Sequence, residues 1–249
     1  MRLSGTTALI TGASSGIGAA IAVALAAAGS RPLLMGRDED RLARVARSTG
    51  GVPIVADLAS PEGVADAAGR AFENAEHIDV LVNNAGIGWA GPLEAMSEGD
   101  VARLTDTNLV APIYLTRRAL PRMVERGGHI LFVTSIAGCT GVREEAVYAA
   151  TKAGLHVFAE GLRYEVAGNG VGVSVVVPGV VATPFFERRG TPYGRRRPRP
   201  VPAERVARAA VDALQHDRAE VFVPRWMRLP ARLHGGMPGA FRALAARGG

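Results

Sequence analysis

Two rhythms of apolar positions alternate along the chain. Short runs, Thr7-Ala8-Leu9-Ile10, Pro32-Leu33-Leu34-Met35, Pro53-Ile54-Val55-Ala56, Asp79-Val80-Leu81-Val82, His129-Ile130-Leu131-Phe132-Val133, Val173-Ser174-Val175-Val176-Val177 and Glu220-Val221-Phe222-Val223-Pro224, predict seven strands. Between them the spacing relaxes to threes and fours. Ile17, Ala20, Ile21, Ala24, Leu25 and Ala28 predict a helix that Gly29 ends, and Leu42, Val45 and Ala46 predict another, capped by Asp38. An amphipathic helix follows Pro61, and a long one covers roughly residues 99 to 126, with Val101, Leu104, Ile113, Leu120 and Val124 on its apolar side. Leu155, Phe158, Leu162 and Val166 belong to a further helix stopped by Gly168-Asn169-Gly170, and Glu204, Val206, Ala210, Val211 and Leu214 to the next. Strand and helix in alternation predict an α/β fold, a seven-stranded parallel sheet with helices on both faces, in one domain of 249 residues.

The rhythm breaks at residues 183–202, where five prolines and Arg188, Arg189, Arg195, Arg196, Arg197 and Arg199 leave little to bury, which predicts a mobile lid. Residues 225–249 form a basic extension, from Trp226-Met227-Arg228-Leu229-Pro230 to a short terminal helix with Phe241 and Leu244. The formal charge of +6 resides here: from Phe185 onward 14 Arg face 5 acids, whereas the preceding part has 15 Arg or Lys against 18 acids. No aromatic interleaving or recognition motif turns this surplus into a nucleic-acid surface. No apolar run reaches the ~18 residues of a membrane span, although a basic, aromatic tail leaves peripheral membrane contact open. Met1-Arg2-Leu3-Ser4-Gly5 runs directly into a strand, which predicts a cytoplasmic protein. Cys139 is the lone cysteine, without disulfide or metal-ligand spacing, so no metal is expected.

Lys152 is the only lysine in a chain otherwise rich in arginine. A compact ammonium supplies what a planar guanidinium does not, a movable proton and a point charge. Tyr148 stands four residues earlier on the same helix face, about 5 to 6 Å away at Cβ. An ammonium beside a phenol favours phenolate and so predicts proton exchange nearer neutrality. Ser135, at the end of the fifth strand, offers a hydroxyl to a carbonyl oxygen. At the other end of the chain, Thr11-Gly12-Ala13-Ser14-Ser15-Gly16-Ile17-Gly18 joins the first strand to a helix, a turn that lets backbone amides approach a pyrophosphate. The second strand ends in Gly36-Arg37-Asp38. Arg37 suits a 2′-phosphate bidentately, with Ser14 as helper, while Asp38 is either the ribose carboxylate or, better, a helix cap.

The glycine spacing T-G-x-x-x-G-x-G, the tetrapeptide Asn83-Asn84-Ala85-Gly86 and the set Ser135, Tyr148 and Lys152 together resemble the short-chain dehydrogenase/reductase family over most of the chain. The resemblance implies a doubly wound Rossmann fold and hydride transfer between a nicotinamide and a ketone or secondary alcohol. It implies Asn108, Ser135, Tyr148 and Lys152 as catalytic, with Asn108 holding a water that links the lysine to solvent. The cofactor, NADP(H) by Arg37 and otherwise NAD(H), would lie against Gly12, Ser14, Ser15, Gly16, Ile17, Gly18, Asp57, Leu58, Asn84, Ala85, Gly86, Pro178, Gly179, Val181 and Thr183. Tyr148 and Lys152 would also meet its ribose. Ile87, Gly88, Trp89, Ile136, Cys139, Val142, Phe185 and Phe186 suggest an apolar carbonyl substrate, and the arginine lid leaves open a 3-oxoacyl thioester of coenzyme A or a carrier protein. A non-catalytic NADP-binding or docking protein would be expected to lose one of the four catalytic groups. A homodimer through the helices bearing Asn108 and Tyr148, or a homotetramer, is implied. The tail departs from the glycine-rich terminus with which family tetramers pack.

Overall fold

A computed structural model describes residues 1–194, 197–239 and 241. In chain order the elements are β1 (Thr7–Thr11), α1 (Gly16–Ala27), β2 (Arg31–Gly36), α2 (Glu39–Thr49), β3 (Val52–Val55), α3 (Pro61–Asn74) and β4 (Val80–Asn83). They continue through α4 (Glu98–Thr105), α5 (Ala111–Arg126), β5 (Gly128–Val133), α6 (Ile136–Thr140), α7 (Ala146–Glu165) and β6 (Val171–Pro178). The last are β7 (Val181–Ala182), α8 (Phe185–Arg188), β8 (Val201–Pro202), α9 (Ala203–His216), β9 (Glu220–Val223) and α10 (Arg228–Gly236).

Seven strands pair in parallel in the order β3-β2-β1-β4-β5-β6-β9. Alternate residues of each strand feed opposite layers. Leu9, Leu33, Leu81, Ile130, Phe132 and Val175 pack with α3, α5 and α7, whereas Ala8, Ile10, Leu34, Val82, Leu131 and Val176 pack with α1 and α9. This double burial is why the strands read as unbroken apolar runs. Pro53, which cannot donate to a ladder, sits in β3, an edge strand. Strand order reverses between β1 and β4, which opens a crevice beyond their carboxyl ends.

The long helix predicted over residues 99 to 126 is continuous but not uniform. Asp106–Val110 form one π turn between α4 and α5, with Asn108 inside it. Three features have no counterpart in the predicted pattern: the five-residue α6 after Ser135, α8 within the lid segment, and the separate two-stranded pair of β7 and β8. The terminal helix is also placed differently. It covers Arg228–Gly236, the Phe241 N–H donates to the Met237 carbonyl, and Leu244 lies outside the described residues. Among the described residues no helix is long and apolar enough to cross a membrane, and no cluster of His, Cys, Asp or Glu could hold a metal ion.

Candidate active site

The crevice is built by stitching the end of β1 to the end of β4. Thr11 Oγ1 accepts the N–H groups of Asn84 and Ala85 at 3.0 and 2.9 Å, and Asn84 Nδ2 donates to the Thr11 carbonyl at 2.9 Å. Gly12 turns the chain at φ +66°, and a Cβ there would lie 2.9 Å from the Ala85 Cα. Gly18 is needed for close approach, since a Cβ would lie 2.3 Å from the Gly12 carbonyl oxygen. With both in place, the turn and the start of α1 frame one end of a cavity of about 950 Å³. Every residue assigned to the cofactor lines this cavity except Gly18, which is buried behind the turn. The group that such a cradle of glycines and exposed backbone suits is a dinucleotide.

Ser135, Tyr148 and Lys152 line the same cavity. Ser135 caps α6, its hydroxyl accepting the Ala137 N–H at 3.2 Å, and the hydroxyl is also hydrogen-bonded to the Tyr148 phenol. Lys152 Nζ donates to the Val133 carbonyl at 3.1 Å. Asn108 does not reach the cavity. It is fully buried, accepts the Ile87 N–H at 2.8 Å, and donates from Nδ2 to the Ile87 carbonyl and to Thr151 Oγ1. The π turn therefore aims one amide at the chain after Gly86 and at α7 together. Gly86 fills the narrow gap between them: a Cβ on it would lie 3.2 Å from Asn108 Oδ1 and 3.3 Å from Lys152 Nζ.

The electrostatics correct one expectation. Spacing predicts a phenol brought toward neutrality, but burial pushes Tyr148 up to about 12, opposed in part by the Ser135 hydrogen bond. Burial likewise lowers Lys152 to about 8. Both groups are desolvated, and the ammonium is spent on a backbone carbonyl, so the ionised phenol gains too little to offset its lost hydration.

At the far end of the cavity Asp38 caps α2, accepting the Arg41 N–H at 2.9 Å and pairing with the Arg41 guanidinium at 3.0 Å. Its stronger sequence reading is the one found. Arg37 beside it is exposed. Arg41 joins this end as well, a residue the sequence reading passed over although it stands three positions after the cap.

The lid segment crosses the cavity. Phe185 packs on Tyr148 with ring centroids 5.6 Å apart and sits over Gly88, where a Cβ would lie 2.6 Å from its ring. Arg189 stacks on Phe186 and pairs with Glu145 at 2.5 Å, both side chains largely buried. Arg189 was read in the sequence only as one of the lid arginines and Glu145 not at all, because 44 residues separate the two partners. Two expected pocket residues lie elsewhere. Trp89 lines a separate recess of about 330 Å³ with Met96 and Val147. Cys139 donates from Sγ to the Ser135 carbonyl at 3.9 Å and packs against the α7 side of the sheet.

Known proteins share this architecture. A family model described as short chain dehydrogenase matches residues 6–193. A protein of Nostoc named ketoacyl reductase HetN is 36% identical over 232 residues, covering 89% of this chain and 79% of its own length. A short-chain dehydrogenase from Sphingobium yanoikuyae, solved in complex with NADPH, superposes with a TM-score of 0.82 at 30% identity, covering 94% of this chain and 96% of that one. One from Burkholderia phymatum, solved with NAD, gives 0.85 at 26% identity and covers 94% of each chain. On this match across most of its length, the chain belongs to the short-chain dehydrogenase family and is an oxidoreductase.

Proposed function

We propose that this protein is an NADP(H)-dependent reductase of apolar ketones, interconverting them with secondary alcohols. The observation that carries this reading is the convergence of Ser135, Tyr148 and Lys152 on a cavity walled beyond them by Ile87, Val142, Phe185 and Phe186. When bound, a reduced nicotinamide supplies the hydride that the carbonyl carbon accepts. Ser135 holds the substrate oxygen and favours the alkoxide charge that develops there. Tyr148 delivers its proton to that oxygen, a task suited to a phenol kept protonated by burial. Lys152 holds the nicotinamide ribose and, through Asn108 and a water, returns the proton. NADP is favoured by Arg37 just after β2 and Arg41 in the first turn of α2, where Asp38 is already engaged as a cap.

A 3-oxoacyl thioester is the second reading, favoured by the relative named ketoacyl reductase and by the arginines of the lid. NADPH oxidation against matched β-keto compounds, free esters and phosphopantetheine thioesters, separates the two. Preference for esters supports the first reading and preference for thioesters the second. No turnover of either set, with cofactor bound, would sink both.

A further inference from the structure

Arg188 closes α8, and its Nη2 donates to Ser15 Oγ in the glycine-rich turn at 2.7 Å, across 173 residues of sequence. It lines the same end of the cavity as Arg37 and Arg41. Burial and the positive charges of Arg41 and Arg37 together hold down its proton affinity. Among the described residues Arg41 has Asp38 as ion-pair partner, whereas Arg37 and Arg188 have none. Three guanidinium groups against two carboxylates, Asp38 and the neighbouring Glu187, carry a surplus of positive charge that an anion would offset. The planar fork of arginine matches phosphate oxygens bidentately, as an ammonium does not. Ser14 adds a hydroxyl at the same strand end, since a Cβ on Gly36 would lie 3.5 Å from its Oγ.

The neighbouring lid arginine has other work. Arg189 is neutralised by Glu145 beside Tyr148, so adjacent residues tie one short helix to opposite ends of the cavity. We propose that Arg188 is a specificity-determining residue for the 2′-phosphate of the cofactor, completing with Arg37 and Arg41 a three-arginine site that the lid brings to the cofactor. This rests on the NADP reading above and adds to it the lid as the part that tells NADP from NAD.

The test is calorimetric titration of the whole protein with 2′,5′-ADP and with 5′-AMP, which differ only in the 2′-phosphate, and requires no turnover. Arg188→Met is expected to weaken 2′,5′-ADP by about ten-fold, the low end for a charged hydrogen bond at a solvated site, and to leave 5′-AMP within about two-fold. Arg188→Lys, which keeps the charge and loses the fork, is expected to fall between wild type and Arg188→Met. Equal weakening of both nucleotides would assign Arg188 to the 5′-phosphate and overturn the proposal, as would unchanged binding of 2′,5′-ADP in both variants. Wild-type protein that binds the two nucleotides equally would instead sink the NADP reading, and the inference with it. Loss confined to Arg37→Met would keep the NADP reading and refute the role of the lid.

Discussion

Lys152→Arg asks whether the solitary ammonium matters. A guanidinium in the space between Val133 and Gly86 would displace Asn108 and hold its proton permanently, so a fall in kcat of about 100-fold or more is expected. Near-full turnover would mean that the lysine is incidental. With Lys152 near 8, kcat/KM for reduction should hold through neutrality and decline above about pH 8 as the ammonium deprotonates. His129 governs stability rather than rate. Burial lowers it to about 4, and its Nε2 bonds Ser174 Oγ, which donates to the Arg218 carbonyl. The folded state keeps this ring neutral while the unfolded state protonates near the ordinary value of 6.5. Stability should therefore fall as pH drops from about 6.5 to about 4, by up to about 3 kcal/mol. Urea unfolding at several pH values measures the slope, and a His129→Gln protein that keeps the whole of it would refute the assignment. These residues mark a limit of sequence reading. The four-residue spacing of Tyr148 and Lys152 was legible, but the direction of their proton affinities was not, since it depends on burial by segments far away in the chain.

The π turn at Asp106–Val110 acts as a bracket between α7 and the chain after Gly86. Asn108→Ala would leave the Ile87 N–H and carbonyl without their buried partner, a loss of about 1 to 3 kcal/mol. Because the same amide sets the gap beside Lys152, the variant should lose kcat more than it raises KM, as steady-state kinetics would show. An asparagine in a long helix was visible in the sequence, but the extra residue in that turn was not, since a local 3.6-residue rhythm carries no mark of one wide turn. The lid illustrates the same boundary from another direction. Prolines and arginines announced a segment with little to bury, yet α8 forms because Phe185 finds Gly88 and Tyr148, and Arg189 finds Glu145. Glu145→Gln should leave Arg189 as a buried, unpaired cation and destabilise by about 3 kcal/mol if the lid stays closed. Thermal unfolding with no change in midpoint would show that the lid opens at no cost to the core.

The sheet was the most legible part of the whole molecule. All seven strands lay in apolar runs, and runs such as Val173-Ser174-Val175-Val176-Val177 must be covered on both faces, which already demands helices above and below. Assembly is argued from what stays uncovered. Val157 and Tyr164, seven residues apart on one face of α7, are 71% and 70% exposed. A second copy packing on α7 would bury them, so the protein is expected to be a dimer, and Val157→Glu a monomer, by light scattering. A wild-type monomer at high concentration would discard the idea. The small parallel pair β7 and β8 has a different consequence. Val181 faces Val201 and Ala182 faces Pro202, so the segment over the cavity leaves and rejoins the molecule at neighbouring strands about 5 Å apart. Its length is then almost free to drift, since doubling a closed loop costs only about 0.6 kcal/mol. The segment is a replaceable cassette, and a lineage could exchange it for another substrate while the sheet beneath keeps its register.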